Sequence, residues 1–273
     1  MDKVKLSIRE IQLAEEKMME EFDSFCEENN LRYYMGGGTL LGAVRHKGFI
    51  PWDDDVDLYM PRPDCERLEA LLNGKELNHH IILGSPHFNT LDFPMLKLLD
   101  KNIIIERENG IAESPYLWID IMPLDGLPDD PTILDRKCRK IERLKGDLFI
   151  SKNGSVNYVK KGAFRDLLST AKRLVLLKLG PSYFVNRIEK ISKAIPYDGS
   201  QFVGNIAWER SCRARLLRTE YDDVIKLQFE SGYYPAPACY DKYLRKKYGD
   251  DYLEIPPVEK RETHDLSAWR VKR

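Results

Sequence analysis

The chain has 273 residues, 42% of them hydrophobic and 32% charged, with a formal net charge of −1 at pH 7. That composition reads as a soluble globular protein, one large domain or a core with an appendage. It provides no global positive charge to draw in nucleic acid. The five cysteines (Cys26, Cys65, Cys138, Cys212 and Cys239) form no Cys-x-x-Cys pair. Their pattern argues against disulfides and structural zinc and fits a reducing cytosol. The expectation is no signal peptide, because Met1-Asp2-Lys3-Val4-Lys5 leads into an amphipathic pattern, and no apolar run long enough to span a bilayer.

Ser7 followed by Glu10 predicts a capping box, and Ile8, Ile11, Met18, Phe22 and Phe25 mark one helical face that Asn29-Asn30 ends. A short strand is expected over Leu31–Met35, then a turn at Gly36-Gly37-Gly38 and a short helix from Thr39 to His46. An acidic strand follows Pro51, and residues 64–72 read as helix. Ile81–Leu83, Phe93–Leu99, Ile103–Arg107 and Tyr116–Ile121 read as strands, giving an α/β sheet to about residue 128. Residues 132–195 read as mostly helical, broken near Asn153-Gly154 and Gly180-Pro181. The proline-bearing runs at 233–237 and 255–257 are expected to be extended or turning.

The run Trp52-Asp53-Asp54-Asp55-Val56-Asp57-Leu58 holds four carboxylates in five positions. Such crowding persists cheaply only with solvent or a cation to neutralise it. Alternation with Val56 and Leu58 has the period of a strand and puts Asp55 and Asp57 on one face. Asp53, Asp55 and Asp57 match the first positions of an EF-hand. Leu58 and Asp64 occupy that loop's required glycine and glutamate positions, so a calcium loop is set aside. The glycine turn just upstream would present free helix amides and the Thr39 hydroxyl to a phosphate. A magnesium site beside a phosphate site points to phosphoryl transfer.

Asp120 sits among apolar residues in Leu117-Trp118-Ile119-Asp120-Ile121, where a carboxylate is costly unless paired or metal-bound. It is the candidate third carboxylate. Asp125 reads as a turn residue before Gly126. Arg45, His46 and Lys47 are either counter-charges for phosphate or an ordinary cationic helix end, and His46 is also a candidate general base. Lys97, in an otherwise apolar strand, points to solvent or reaches a nucleotide phosphate.

The run from Gly37 through Arg45-His46-Lys47-Gly48-Phe49-Ile50-Pro51-Trp52 to Asp57 closely resembles the LicD family of phosphotransferases. That family includes bacterial cholinephosphotransferases and, among animal relatives, fukutin and fukutin-related protein. Similarity returns in Ile119–Gly126 and from Tyr248-Gly249-Asp250 through Arg261 to His264. Phe229-Glu230-Ser231-Gly232 carries a serine where many members run Phe-Glu-Gly.

The resemblance implies a nucleotidyltransferase-like mixed sheet flanked by helices. Its core would be residues 1–131, with a helical, basic insertion at 132–200 and a C-terminal segment at 201–273 completing the active site. It implies that Gly37, Gly38 and Thr39 bind phosphate, with Arg45, His46, Lys47, Lys97 and His264 as further substrate contacts. Asp55 and Asp57 would hold Mg²⁺ or Mn²⁺, joined by Asp53 and Asp120. The implied reaction moves phosphocholine, or another phospho-alcohol, from a CDP-linked donor to a sugar hydroxyl of a lipid-linked cell-surface glycan precursor. An aromatic cage for choline could draw on Trp208, Tyr233, Tyr234 and Tyr240. The alternatives are a nucleotidyltransferase moving NMP onto a small molecule or sugar, and a non-catalytic glycan- or nucleotide-binding protein.

Residues 159–193 hold nine basic side chains (Lys160, Lys161, Arg165, Lys172, Arg173, Lys178, Arg187, Lys190, Lys193) against two acidic ones (Asp166, Glu189). Interleaved leucines make this either a core-packing helix with a cationic outer face or a basic amphipathic helix on an anionic membrane. The expected location is cytoplasmic, peripheral at the inner face of the plasma membrane, with no nucleic-acid partner.

Overall fold

The computed structural model describes residues 3–107, 114–153, 163–208, 215–261 and 266–271. In chain order the elements are β1 (Lys3–Lys5), α1 (Ile8–Glu28), β2 (Tyr34–Met35), α2 (Gly37–Arg45), β3 (Asp57–Pro61), α3 (Arg62–Leu72), β4 (Ile81–Gly84), β5 (Leu96–Arg107) and β6 (Tyr116–Leu127). Then come α4 (Pro131–Asn153), α5 (Ala163–Leu179), α6 (Pro181–Ser192), β7 (Phe202–Gly204), β8 (Leu216–Leu217), α7 (Arg218–Asp222), β9 (Val224–Phe229), β10 (Gly232–Pro237), α8 (Tyr240–Tyr248) and β11 (Leu266–Val271).

The fold is α/β, as expected: a nine-stranded mixed sheet flanked by helices. Its main path runs β1-β11-β5-β6-β3-β2, with β4 on β5 and β7 joining β6 to β8. The pairing of β3 with β6 is parallel, whereas the other pairings in this sheet are antiparallel. β9 and β10 form a separate antiparallel hairpin.

Local chemistry sets the ends of these elements. The capping box at Ser7 and Glu10 opens α1, whose buried face carries Ile11, Met18, Met19 and Phe22. Asn29 caps it, and Asn30 turns the chain with a positive φ of 51°. Phe93–Leu99 and Ile103–Arg107, expected as two strands, are largely one: β5 runs through a register shift between Asp100 and Ile104. Its first half pairs with β4 and its second with β11, so the bulge lets one strand serve two neighbours. The inserted Ser231 fits a two-residue hairpin turn, where its hydroxyl and amide donate to Glu16 at 2.6 and 2.9 Å.

Two apolar cores result. The larger lies between α1, α2, α3 and the sheet. The smaller joins α4, α5 and α6 through Leu134, Ile141, Leu148, Leu176 and Ile188, and takes in Leu127 and Ile206 from outside the helices. The break expected at Asn153-Gly154 falls at the edge of residues that are not described. The expectation of no disulfide fails at Cys138, which is disulfide-bonded; Cys26, Cys65 and Cys239 are free. Pairing depends on approach in space, which an odd count without a motif does not reveal. Among the described residues no helix is long and apolar enough to cross a membrane.

Candidate active site

The glycine turn is shaped by the acidic strand behind it. Gly37 has a φ of +46°, and a Cβ there would lie 2.0 Å from Asp57 Oδ2. A Cβ on Gly38 would lie 2.7 Å from Asp53 Oδ2. The missing side chains therefore make room for two carboxylates at the start of α2, where the helix dipole favours negative charge. The Gly38 amide donates to Asp57 Oδ2 at 3.4 Å, and the Asp57 amide donates to Thr39 Oγ1 at 2.8 Å. The Gly37 amide donates to Tyr243 Oη at 3.1 Å. Two of the amides expected to face phosphate thus meet groups of the protein itself.

The sheet brings the third carboxylate to the same place. Asp57 of β3 is in register with Asp120 of β6, which in turn is opposite Lys97 of β5. Residues directly opposite on paired strands share a face, so Asp57, Asp120 and Lys97 line up across three strands. Lys97 is fully buried, bonds Asp120 Oδ1 and lies 4.7 Å from the centre of the Trp118 ring. It does not point to solvent, because here the sheet face is covered. Its charge is held against Asp120.

α1 contributes to this region from above. Gln12 donates to the backbone oxygen of Asp53 at 2.8 Å and fixes the acidic loop. Glu15, one turn further on, is buried, and its Oε2 has no hydrogen-bond partner. Burial, followed by the charges of Asp55, Asp54, Asp53 and Asp120, holds its carboxyl well above the usual range. Asp57 is half-buried, and burial together with Asp55 pushes its carboxyl up to about 6. Lys247, the Gly38 amide and Lys97 limit that rise.

Lys247 is a site residue that sequence reasoning missed. It comes from α8, about 190 residues further along the chain, and donates to Tyr59 Oη at 3.2 Å. The rings of Tyr59, Tyr243 and Tyr248 lie 5.8, 5.8 and 5.9 Å from its ammonium. Tyr243 also donates to Tyr59 Oη at 3.0 Å, so α8 is tied to both the glycine turn and β3. Only the aromatic spacing of 240–248 could have hinted at this.

Arg45, His46 and Lys47 sit at the other end of α2 from Gly37 and Gly38. Arg45 donates to the carbonyl oxygens of Tyr252 and Glu254 at 3.2 and 2.9 Å, and through Nε to His46 at 2.9 Å. Burial, then the Arg45 charge, lowers the His46 pKa. Lys47 is exposed, with a φ of 62°. Arg261 from the tail lies 4.1 Å from the Trp52 ring, just before the acidic run. His264 lies outside the described residues.

Two further expectations are corrected. Asp125 is not a turn residue: it is buried within β6 and accepts two bonds from Arg62, at 2.7 and 2.8 Å. The four aromatics proposed as a choline cage do not all face one pocket, because two of them are neighbours on one strand. Tyr233 and Tyr234 are consecutive on β10 and alternate between exposed and buried, while Trp208 packs on Phe93 at 5.7 Å.

The donor set at Asp55 and Asp57 is oxygen only, which suits a hard divalent cation. The raised Asp57 carboxyl is the strain such an ion would relieve. Among the described residues no group of three or more His, Cys, Asp or Glu is placed to hold a metal by itself.

Residues 30–102, from the end of α1 to the middle of β5, match the family LicD/FKTN/FKRP, nucleotidyltransferase domain. The chain is 28% identical over 264 residues to the lipopolysaccharide cholinephosphotransferase LicD of Haemophilus influenzae, covering 96% of this chain and 97% of that protein. It is 41% identical over 113 residues to an uncharacterized protein of Rickettsia prowazekii, or 41% of this chain and 40% of that one. It is 51% identical over 47 residues to the human ribitol 5-phosphate transferase FKRP, covering 16% of this chain and 10% of that protein.

Proposed function

Residues 30–102 carry the LicD/FKTN/FKRP nucleotidyltransferase domain, and from that premise we propose that the chain is a phosphotransferase that moves a phospho-alcohol from a CDP-linked donor to a sugar hydroxyl of a cell-surface glycan precursor. The similarity to a lipopolysaccharide cholinephosphotransferase over nearly the whole chain makes CDP-choline the first donor to test. The observation that carries the reading is the alignment of Asp57 and Asp120 beside the Gly37-Gly38 turn.

In this reading Asp55 and Asp57 hold Mg²⁺ or Mn²⁺. When bound, that ion supplies charge neutralisation at the diphosphate. Asp57 is kept in place by the Gly38 amide and by its own amide bond to Thr39. Lys247 sits on the Asp57 side of the site and offers a positive charge to a phosphate oxygen. Asp120, fixed by Lys97, accepts the proton of the acceptor hydroxyl. The acceptor oxygen bonds to the phosphorus that carries the alcohol, the bond from that phosphorus to CMP breaks, and CMP leaves with the electron pair. Positioning and charge neutralisation supply most of the rate.

The test incubates the purified chain with Mg²⁺ and, separately, CDP-choline, CDP-ribitol and CDP-glycerol, and measures CMP release. Slow hydrolysis of the donor suffices without the acceptor. One donor should release CMP, and EDTA should stop it. Asp55→Ala and Asp57→Ala should each lose about a thousandfold or more while keeping the wild-type circular dichroism spectrum. Near-wild-type release by either variant would overturn the assignment. Incorporation of labelled CMP from CTP into product would replace it with NMP transfer.

A further inference from the structure

Over residues 169–179, α5 turns most of its apolar side chains outward. Among residues 169–179 the side chain of Leu176 alone is buried. Leu174, Val175, Leu177 and Leu179 are 63%, 58%, 39% and 44% exposed. At about 100° per residue, Leu176 points to the smaller core, while Leu174 and Lys178 stand on the opposite side with Leu177 and Val175 flanking them. Lys172 bonds Asp147 of α4 at 2.8 Å, which fixes the rotation of α5 with this apolar strip outward. A helix that only covers a core does the reverse, and contiguous exposed leucines mark a surface that something else covers.

The charge around the strip selects what covers it. From residue 169 to 188 the sequence holds Lys172, Arg173, Lys178 and Arg187 and no acidic residue. A second copy would set cations against cations. A bilayer with anionic headgroups matches both features: leucines enter the acyl boundary, and Lys and Arg stems lie along it with their charges among the headgroups. No described helix is long and apolar enough to span, so α5 would lie in the plane of the surface. We propose that the outward face of α5 docks this protein on an anionic membrane surface. The inference is independent of the transfer chemistry, and its readout involves no turnover.

The experiment is flotation of the purified full chain with vesicles of equal parts phosphatidylglycerol and phosphatidylcholine at low salt, beside vesicles of phosphatidylcholine alone. The chain should float with the anionic vesicles and stay behind with the neutral ones, and high salt should weaken the binding. Leu174→Glu combined with Val175→Glu should cut the bound fraction about tenfold or more with no change in melting temperature, because both side chains are solvent-facing. Three results would each overturn the inference: a wild-type chain that does not float with anionic vesicles, a double variant that floats equally well, or a wild-type dimer on size exclusion that the double variant converts to monomer.

Discussion

Strand β6 carries two aspartates that stand in opposite electrostatic situations. Asp125 belongs to a closed set: Arg62 gives it two bonds and also lies 3.9 Å from Glu189, which His87 joins at 3.1 Å. Burial pulls the Arg62 guanidinium down, but Asp125 more than offsets this and holds it above its usual value. Asp120 borders a set where burial with mutual repulsion raises both Asp57 and Glu15. A balanced buried pair needs nothing from outside, and here it joins α3 and β6 to α6. Carboxyls held above their usual range in a covered site are relieved when a positive charge arrives with a ligand. The difference separates a structural ion pair from a candidate site on a single strand.

The largest effect should come from opening the closed set. Arg62→Ala leaves Asp125 buried without its partner, a change that costs about 3–5 kcal/mol. Urea unfolding should report a loss of that size. Arg62→Met combined with Asp125→Leu removes both charges and should lose much less, because no unpaired carboxylate remains. If the single and double variants lose the same amount, the pair is not what stabilises this junction.

The open set should show a smaller, pH-dependent effect of the other sign. Asp57 has a folded-state value of about 6 against an ordinary 3.8. A carboxyl raised in this way adds nothing below its unfolded value, where both states are protonated. Its ionisation then destabilises the fold progressively as pH rises from about 4 to about 6, by roughly 2–3 kcal/mol in all. In EDTA, the stability difference between Asp57→Asn and wild type should favour the variant at pH 7 and shrink towards pH 4. Added Mg²⁺ should stabilise wild type and not the variant. A difference that stays flat from pH 4 to 7 would remove Asp57 from the strained set.

Much of this site was legible because its parts are local. The capping box, the glycine turn and the apolar flanks of Asp120 are each properties of a few neighbouring residues, whereas the strand expected to carry both Asp55 and Asp57 begins only at Asp57 and leaves Asp55 in the loop before it. The pairing of β3 with β6 then brings them together. What escaped depends on distant pairings. Glu15 reads as one charge on an amphipathic helix, and only the packing of α1 over the sheet buries it. Lys97 and Asp125 were misjudged alike, because a charged residue in an apolar strand is satisfied or not by a partner on another strand or helix. β1 and β11 pair with each other across the whole chain, and three-residue strands carry no readable period. Tyr233 and Tyr234 could not both line a cage, because composition gives types of side chain and not the face each one takes.

Lys247 tests how far the open set depends on a distant cation that sequence reasoning did not find. It lowers the Asp57 pKa and is held among three tyrosine rings. Lys247→Met keeps the length and apolar stem of the side chain, so the packing of α8 should survive and melting should shift little. Loss of the charge should let the Asp57 pKa rise further. The acid limb of the pH–rate profile for CMP release should then move to higher pH, and release at neutral pH should fall about tenfold, equivalent to about 1.4 kcal/mol. Lys247→Arg restores the charge with a wider head and should recover the position of the acid limb even if the rate stays low. A Lys247→Met enzyme with reduced melting temperature and an unmoved acid limb would make this residue a packing element of α8 and leave Asp57 governed by burial and Asp55 alone.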